Sequence, residues 1–584
     1  MEKFKKKAFK KLGQQNQYTP TYYFLKAKYN LNSGLLTDFE TNLQTAITSS
    51  ISLNQEKSEK HGAMLIDAAE LYSQNGSYRV AKEYLTNAKK ILEAGGFKNE
   101  TILARWDVDM GKILAGQGFY NEALELLNAR ERYYIGRAVK QESFVDDKGN
   151  LKSRRLPEAE ITQRYIDYAN LLTQIANTYG KQGNLKSADS SFAYAATWTD
   201  KNLGKTSIEY VRNQLYNAKV LVENGNENLP RDLEYSRTLG YLKSQHKASH
   251  VVGIEIYEEY IKQLLTNGSS ALYLNTKLEY EKLINGSFKK GSIYFARLKA
   301  VDLDKKMNQD KTRNLENDAL NVISNTQGLP RNNITTTEVI DFLASLAVSE
   351  KNYANAEKYL SDIVEIKTDL FGAEAPETHL AKVHLANLYV DYTNKINEAA
   401  KIYDESFTKI VGKEIGAWHK DHLDILNHMA TLYELTDKYK DATSTLDKAT
   451  EVARSKYSDT DYQYGAELTN IAKLQLKLGQ YEKAELNLTQ SLKILEQFRK
   501  EEDKKIYLIN AIETQATLFG IKGLFDDAED ALDRSHKIIT KADNLVGVDD
   551  LNTAKELSSL LIQLGRYSIA DELLTNLLKD SEKL

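Results

Sequence analysis

The chain has 584 residues, 27% charged and 41% hydrophobic, with 5 prolines, no cysteine and a formal net charge of -4. That length is well past the roughly 250–300 residues at which one hydrophobic core stops growing, so the chain is either several domains or one unit repeated. Without cysteine there is no disulfide framework, no thiolate-held zinc or iron-sulfur site and no thiol nucleophile, and the balanced charge argues against a general nucleic-acid binder.

The N-terminal Met1–Gln15, MEKFKKKAFKKLGQQ, sets six lysines among Phe4, Ala8, Phe9 and Leu12. Its phase places it where the second helix of a preceding repeat would fall; a basic amphipathic helix on an anionic membrane is the alternative. From there a common grammar recurs: LYSQNGSYRVAKEYL at Leu71–Leu85, ILAGQGFYNEALELL at Ile113–Leu127 and LQLKLGQYEKAELNL at Leu474–Leu488. Each reads as an apolar helix, a Gly that ends it, an aromatic two residues on, a small Ala three after that, and a second helix. The Ala lets the two helices approach where they cross, and a pair of this kind buries its apolar face only by stacking on the next.

Anchored on that Ala, the units fall at Ala81, Ala123, Ala188, Ala356, Ala399, Ala442, Ala484, Ala528 and Ala570, and the C-terminal spacings are 43, 43, 42, 44 and 42. Counting back 42 from Ala81 reaches Phe39, with Gly34, Leu43 and Ala46 in the matching slots. Ala123 to Ala188 is 65, and the surplus lies in Arg137–Glu160, where Phe144 and Val145 face Leu151 across a Gly-containing turn that suggests a short hairpin. Ala188 to Ala356 is 168, four periods of 42, which puts anchors near Pro230, Tyr273 and Thr312; a rival turn at Asn285–Phe295 falls half a period out of phase. Pro20, Pro157, Pro230, Pro330 and Pro376 mark helix starts or gaps. These spacings give five segments: 1–136, the insertion 137–160, 161–204, a degenerate stretch 205–335 and a regular array 336–584. The fold expected is an all-α solenoid of about thirteen helix pairs.

Chemical signals are poor. Gly204-Lys205-Thr206-Ser207 has the tail of a phosphate-binding loop, but Thr199 stands where that loop needs its first Gly, and no strand precedes it. His419, His422, Asp424 and His428 near Trp418 form the one cluster with metal-ligand chemistry, read as a turn that starts a helix beside its dipole. His379 and His384 are five apart and do not share a helix face. No catalytic, cofactor-binding or metal residues are assigned. No apolar run reaches 18 residues, so no membrane span is expected. Both ends read as cuts or as ends covered by a partner, and the chain as given is cytoplasmic, or periplasmic where an upstream signal has been removed.

Phe371–Tyr389, FGAEAPETHLAKVHLANLY, together with Met429-Ala430, Tyr433 and Ile471-Ala472, resembles the tetratricopeptide repeat, in the 42-residue form of the kinesin light chain type. The match is strong over Leu65–Ala195 and Thr336–Leu584 and weak over Lys205–Pro330. The resemblance implies a right-handed superhelix, a bacterial source, and a concave groove lined by first helices that holds a peptide or protein partner. Carried over by position, the groove residues would be Asn387, Asp424, Asn427, Thr431, Thr469, Lys473, Glu513 and Lys555. Asp424 and Glu513 interrupt the run of Lys, Arg and Asn by which the family's acidic-peptide grooves work. The function so implied is a non-enzymatic scaffold or adaptor, with no cofactor and no nucleic acid. Two alternatives are the regulatory arm of a larger protein such as a caspase-like (CHAT) protease, and a periplasmic component of a secretion or motility machine.

Overall fold

The computed structural model describes residues 16–54, 57–145, 150–223, 231–245, 247–266, 270–301, 303, 315–324, 333–416, 419–501, 504–539 and seven single positions between 558 and 575. The chain divides into two compact units, one over Met1–Thr393 and Asn397–Lys420, the other over Asn394–Ile396 and Asp421–Leu584. No helix among the described residues is long and apolar enough to cross a membrane.

In the first unit, nine helix pairs follow one another among the described residues. Their first helices are Thr19–Asn32, Glu59–Gln74, Glu100–Gln117, Glu158–Gln182, Ile208–Glu223, Val251–Thr266, Ile293–Ala300, Ile334–Ser349 and Pro376–Tyr392. Their second helices are Leu36–Asn54, Tyr78–Ala94, Tyr120–Arg137, Leu185–Leu203, Arg231–Ser244, Ser270–Ser287, Leu315–Ser324, Tyr353–Phe371 and Ile396–Ile402, the last running on through a π-helical stretch, Tyr403–Val411, into Gly412–Glu414.

Local chemistry explains the punctuation. Ser58, Asn99, Asn333 and Asn352 cap first or second helices, each side chain accepting from a backbone N–H two or three residues on. At the far end Gly118 takes a left-handed conformation (φ 92°), which lets the Phe119 amide reach back to the Leu114 carbonyl at 2.9 Å and closes the turn. Lys351 and Asp437 occupy the equivalent position of two later turns and accept the same left-handed backbone without glycine's freedom. Four residues into the second helix, Ala81, Ala123, Ala356, Ala399, Ala442, Ala484 and Ala528 are all completely buried. The small residue is thus the contact point of each pair.

The middle of the chain holds the repeat. Tyr273 stands in the anchor slot of Ser270–Ser287 and is buried, so a ring replaces the methyl there; Pro230 and Thr312 lie outside the described residues. The turn at Asn285–Phe295 is also real, but it joins one pair to the next rather than the two helices of a pair. The insertion folds as an antiparallel hairpin, β1 (Gln141–Val145) against β2 (Leu151–Arg155), in register from Gln141 opposite Arg155 to Val145 opposite Leu151. Its base is pinned by buried Leu156, packed with Ile161 and Tyr165, and by Arg164, which pairs with Glu160 at 2.7 Å and with Glu142 of β1 at 3.4 Å.

The ribbon of pairs in the first unit curls until it meets itself. The Ile293 amide donates to the Gly34 carbonyl at 3.0 Å, and Tyr294 Oη to Asn32 O at 3.2 Å. Arg79 Nε donates to Asp369 O at 3.0 Å while Tyr78 stacks on Phe371, and Gln117 donates to the Phe371 carbonyl. Further along, Asn121 Nδ2 donates to Lys413 O at 3.1 Å and the Gly416 amide to Gln182 O at 2.6 Å. These contacts draw 334–420 into the first unit. That is why the compact units part at Lys420 and Asp421 and not at 335, where composition alone begins the regular array.

The second unit has three described pairs: His422–Leu435 with Tyr439–Lys456, Tyr462–Lys477 with Tyr481–Leu495, and Lys505–Ile521 with Phe525–Ile539. Leu495, Leu508, Ile512, Leu532 and Ala570 form its last core cluster. Met1–Gln15 lies outside the described residues.

Candidate functional site

A superhelix lined by first helices turns one face of each inward. In the first unit those faces enclose a channel of about 1220 Å³, to which eight successive first helices contribute, from Lys28 on Thr19–Asn32 to Phe342 on Ile334–Ser349. The volume exceeds the roughly 300–1,000 Å³ of small-molecule pockets.

The wall is polar and carries both signs in two clusters. In the first, Arg105 pairs with Asp67 at 2.5 Å, Glu70 at 2.9 Å and Asp109 at 3.6 Å, and Lys112 pairs with Asp109 at 3.0 Å. Burial pushes the Asp67 carboxyl above its ordinary value in spite of Arg105, and burial also raises Asp167. Burial works the same way on Glu70, but Lys112 and Arg105 outweigh it and hold Glu70 below the usual carboxylate range. In the second cluster Glu258 accepts from Arg297 and, at 2.5 Å, from Tyr280 Oη, while Lys219 approaches Glu259 at 3.5 Å.

Between the clusters two arginines hydrogen-bond neutral partners. Arg212 donates to Asn170 Oδ1 at 2.7 Å; Arg137 donates to Thr101 and Tyr133 hydroxyls at 2.9 and 3.0 Å and lies over the Tyr133 ring. Asn170, Gln174 and Asn177 recur at i, i+4 and i+7 on Glu158–Gln182, so one face presents three amides in a row to the channel. An amide donates and accepts at once, which suits an extended backbone. No group of three or more His, Asp or Glu among the described residues is placed to hold a metal.

The residues assigned from sequence fall elsewhere. Asn387 accepts from the Tyr403 hydroxyl on Pro376–Tyr392, beyond the channel lining. Asp424 is exposed, 3.5 Å from His428; Asn427 donates to Glu467 at 3.1 Å; Thr431 turns its hydroxyl back to Asn427 O. Lys473 is exposed and Glu513 accepts from Ser535 at 3.1 Å. Thr469 is a correction: it is buried, its hydroxyl bound to Ser491 Oγ at 2.7 Å and to Gly465 O, so it faces the partner helix of its own pair. The exposed position is Asn470, 43 residues after Asn427, as Glu467 is 43 after Asp424; counting 42 lands one residue short and on the other face. Lys555 lies outside the described residues. The channel residues themselves were missed because the contacts that gather them join residues some 258 positions apart in sequence.

Gly204–Ser207 is a plain helix end: Ser207 Oγ donates to Gly204 O at 2.7 Å, and Lys205 lies 3.7 Å from Asp200. His379 is buried with Nδ1 on Ser406 Oγ at 3.0 Å, and His419 is buried too.

A family model of the tetratricopeptide repeat matches residues 421–497. Among solved structures, the chain is similar to a Rap protein complexed with competence and sporulation factor, at 16% identity and a TM-score of 0.36 over 56% of this chain and 98% of that one. It is also similar to the APC/C hetero-tetramer Cut9-Hcn1, at 10% identity and a TM-score of 0.38 over 97% of this chain and 94% of that one. No curated protein matches the sequence. The matched segment covers the first two pairs of the second unit, and the same helix pair, turn and buried anchor recur along the described chain.

Proposed function

We propose that this protein is a non-enzymatic interaction scaffold whose principal ligand is a peptide segment of a protein partner, held in the channel of the first unit. The observation that carries this reading is the amide row Asn170, Gln174 and Asn177 on a charged channel wall. Clusters of mutually paired charges set off by neutral amides are built to recognise a polar chain. They offer no nucleophile next to a base, and the reading therefore assigns no reaction.

The test is affinity selection from a pool of random synthetic peptides, followed by calorimetry on the peptides retained. Losing the Gln174 and Asn177 amides together, as Gln174→Ala with Asn177→Ala, is expected to weaken a retained peptide about tenfold, since each hydrogen bond contributes roughly 0.5–1.5 kcal/mol. Asn427→Ala with Lys473→Ala is expected to leave it unchanged. The reverse pattern would move the site to the second unit and sink the channel reading.

A further inference from the structure

The channel wall is a ribbon joined edge to edge, and the joint keeps step with the repeat. Gly34, Gly76 and Gly118 close the turns inside the first three pairs, and each abuts the residue that opens a first helix six pairs later: Ile293, Ile334 and Pro376. The partners lie 259, 258 and 258 positions on. The Gly416 amide on the Gln182 carbonyl at 2.6 Å adds a fourth contact at the turn of the fourth pair, from the segment that precedes His422–Leu435. The fit leaves no slack. A Cβ on Gly76 would stand 2.5 Å from Ile334 Cδ1, and one on Gly118 would stand 2.9 Å from Pro376 Cβ.

Four consecutive contacts of this kind close the side of the channel along its length. Nothing as wide as a folded domain passes through a packed wall. We propose that the first unit takes its ligand end-on, as a linear peptide whose free end is threaded along the channel while the seam stays shut. This rests on the reading of the channel as a peptide site. The wall also says what the peptide carries. Arg137 and Arg212 hydrogen-bond neutral groups and so receive carboxylates. A polar segment with acidic side chains is the occupant.

The absence of native cysteine makes the test clean, because an engineered pair has no competitor. Gln182→Cys with Gly416→Cys bridges the seam where the backbones already touch; Asn121→Cys with Lys413→Cys, at the neighbouring 3.1 Å contact, is the second pair, should the first fold poorly. The probe is the random synthetic peptide pool, and each double variant is compared oxidised and reduced. The oxidised protein is expected to retain the same linear peptides at the same association rate, and backbone-cyclised versions of those peptides are expected to be lost. A fall in association rate on oxidation, of about tenfold or more, would mean the seam must part to admit the ligand and would overturn the proposal. Cyclised peptides binding as well as linear ones would overturn it equally. If neither form retains any peptide, what fails is the channel reading itself, and the end-on inference falls with it.

Discussion

The two units use one motif and reach different ends. The first has enough pairs to complete a turn and overlap it, so its inward faces become an enclosed, partly desolvated channel; the second, with three described pairs, presents the same faces as an open stripe from Asp424 to Glu513. The residues differ less than their surroundings. Glu–Lys pairs occur in both units, but in the first the carboxylates of Asp109 and Glu258 are 5% and 9% exposed, where an unmatched charge is expensive. Closure, more than composition, turns a repeat array into a site.

The largest effect should come from breaking a pair inside the channel. Arg297→Met leaves Glu258, 9% exposed, with Tyr280 alone, and is expected to destabilise the first unit by about 3 kcal/mol. The matched change in the second unit, Lys483→Met, breaks a 2.6 Å pair whose partners are both about half exposed, and should cost less than about 1 kcal/mol. Denaturant titration followed by hydrogen exchange in each unit separates the two. Equal costs would remove the contrast between enclosed and open faces.

A second comparison isolates the seam. Gly118 and Gly479 both end a first helix with positive φ, at 92° and 70°, but only Gly118 has a neighbour across the seam; a Cβ on Gly479 meets nothing within 4 Å. Ala at Gly479 should cost the left-handed strain alone, about 1–2 kcal/mol. Ala at Gly118 should cost that and a further 1–3 kcal/mol or so of overpacking, with faster hydrogen exchange at the start of Pro376–Tyr392. Should the two substitutions cost the same, the turns are not in contact in solution. The converse change is smaller and favourable: Lys351→Gly relieves a non-glycine left-handed residue (φ 58°) and should stabilise by about 1 kcal/mol, read as a raised Tm.

The repeat was legible because its signals are local. A Gly that must turn left-handed, an Ala that must fit a crossing and an aromatic that covers the turn are each decided within a few residues, and Ala81, Ala123 and Ala484 are buried as that grammar requires. The channel was not legible, since the contacts that close it join residues some 258 positions apart and depend on the curvature summed over six pairs. Gly76 reads as a turn glycine in sequence; only the fold reveals that Ile334 leaves it no room for anything larger. The stripe in the second unit fell between these cases. Its face was found, but a spacing of 43 rather than 42 put Thr469 in place of Asn470.

The smallest effects are those of pH, and here one helix of each unit should respond with opposite sign. His379, in the first unit, is held below its ordinary value of 6.5 by burial and then by nearby Lys382. Its neutral form is the one the fold prefers, so that contribution is present above pH 6.5 and is lost as pH falls through the lowered folded value. Glu467, in the second unit, is raised above 4.5 by burial, offset in part by the hydrogen bond from Asn427, with Asp424 pushing it up again. Its protonated form is preferred, so that contribution is present below pH 4.5 and is lost as pH rises through the raised folded value. Hydrogen-exchange protection, taken relative to the intrinsic rate at each pH, should therefore fall on acidification in Pro376–Tyr392 and rise in Tyr462–Lys477. Replacing His379 by Asn or Glu467 by Gln should flatten one response each and leave the other alone. Glu467→Gln should also stabilise the second unit at neutral pH, because it keeps an acceptor for Asn427 Nδ2 and brings a donor toward Asn427 Oδ1, which has no hydrogen-bond partner. If acid raises protection in both helices alike, burial of His379 is not what governs Pro376–Tyr392.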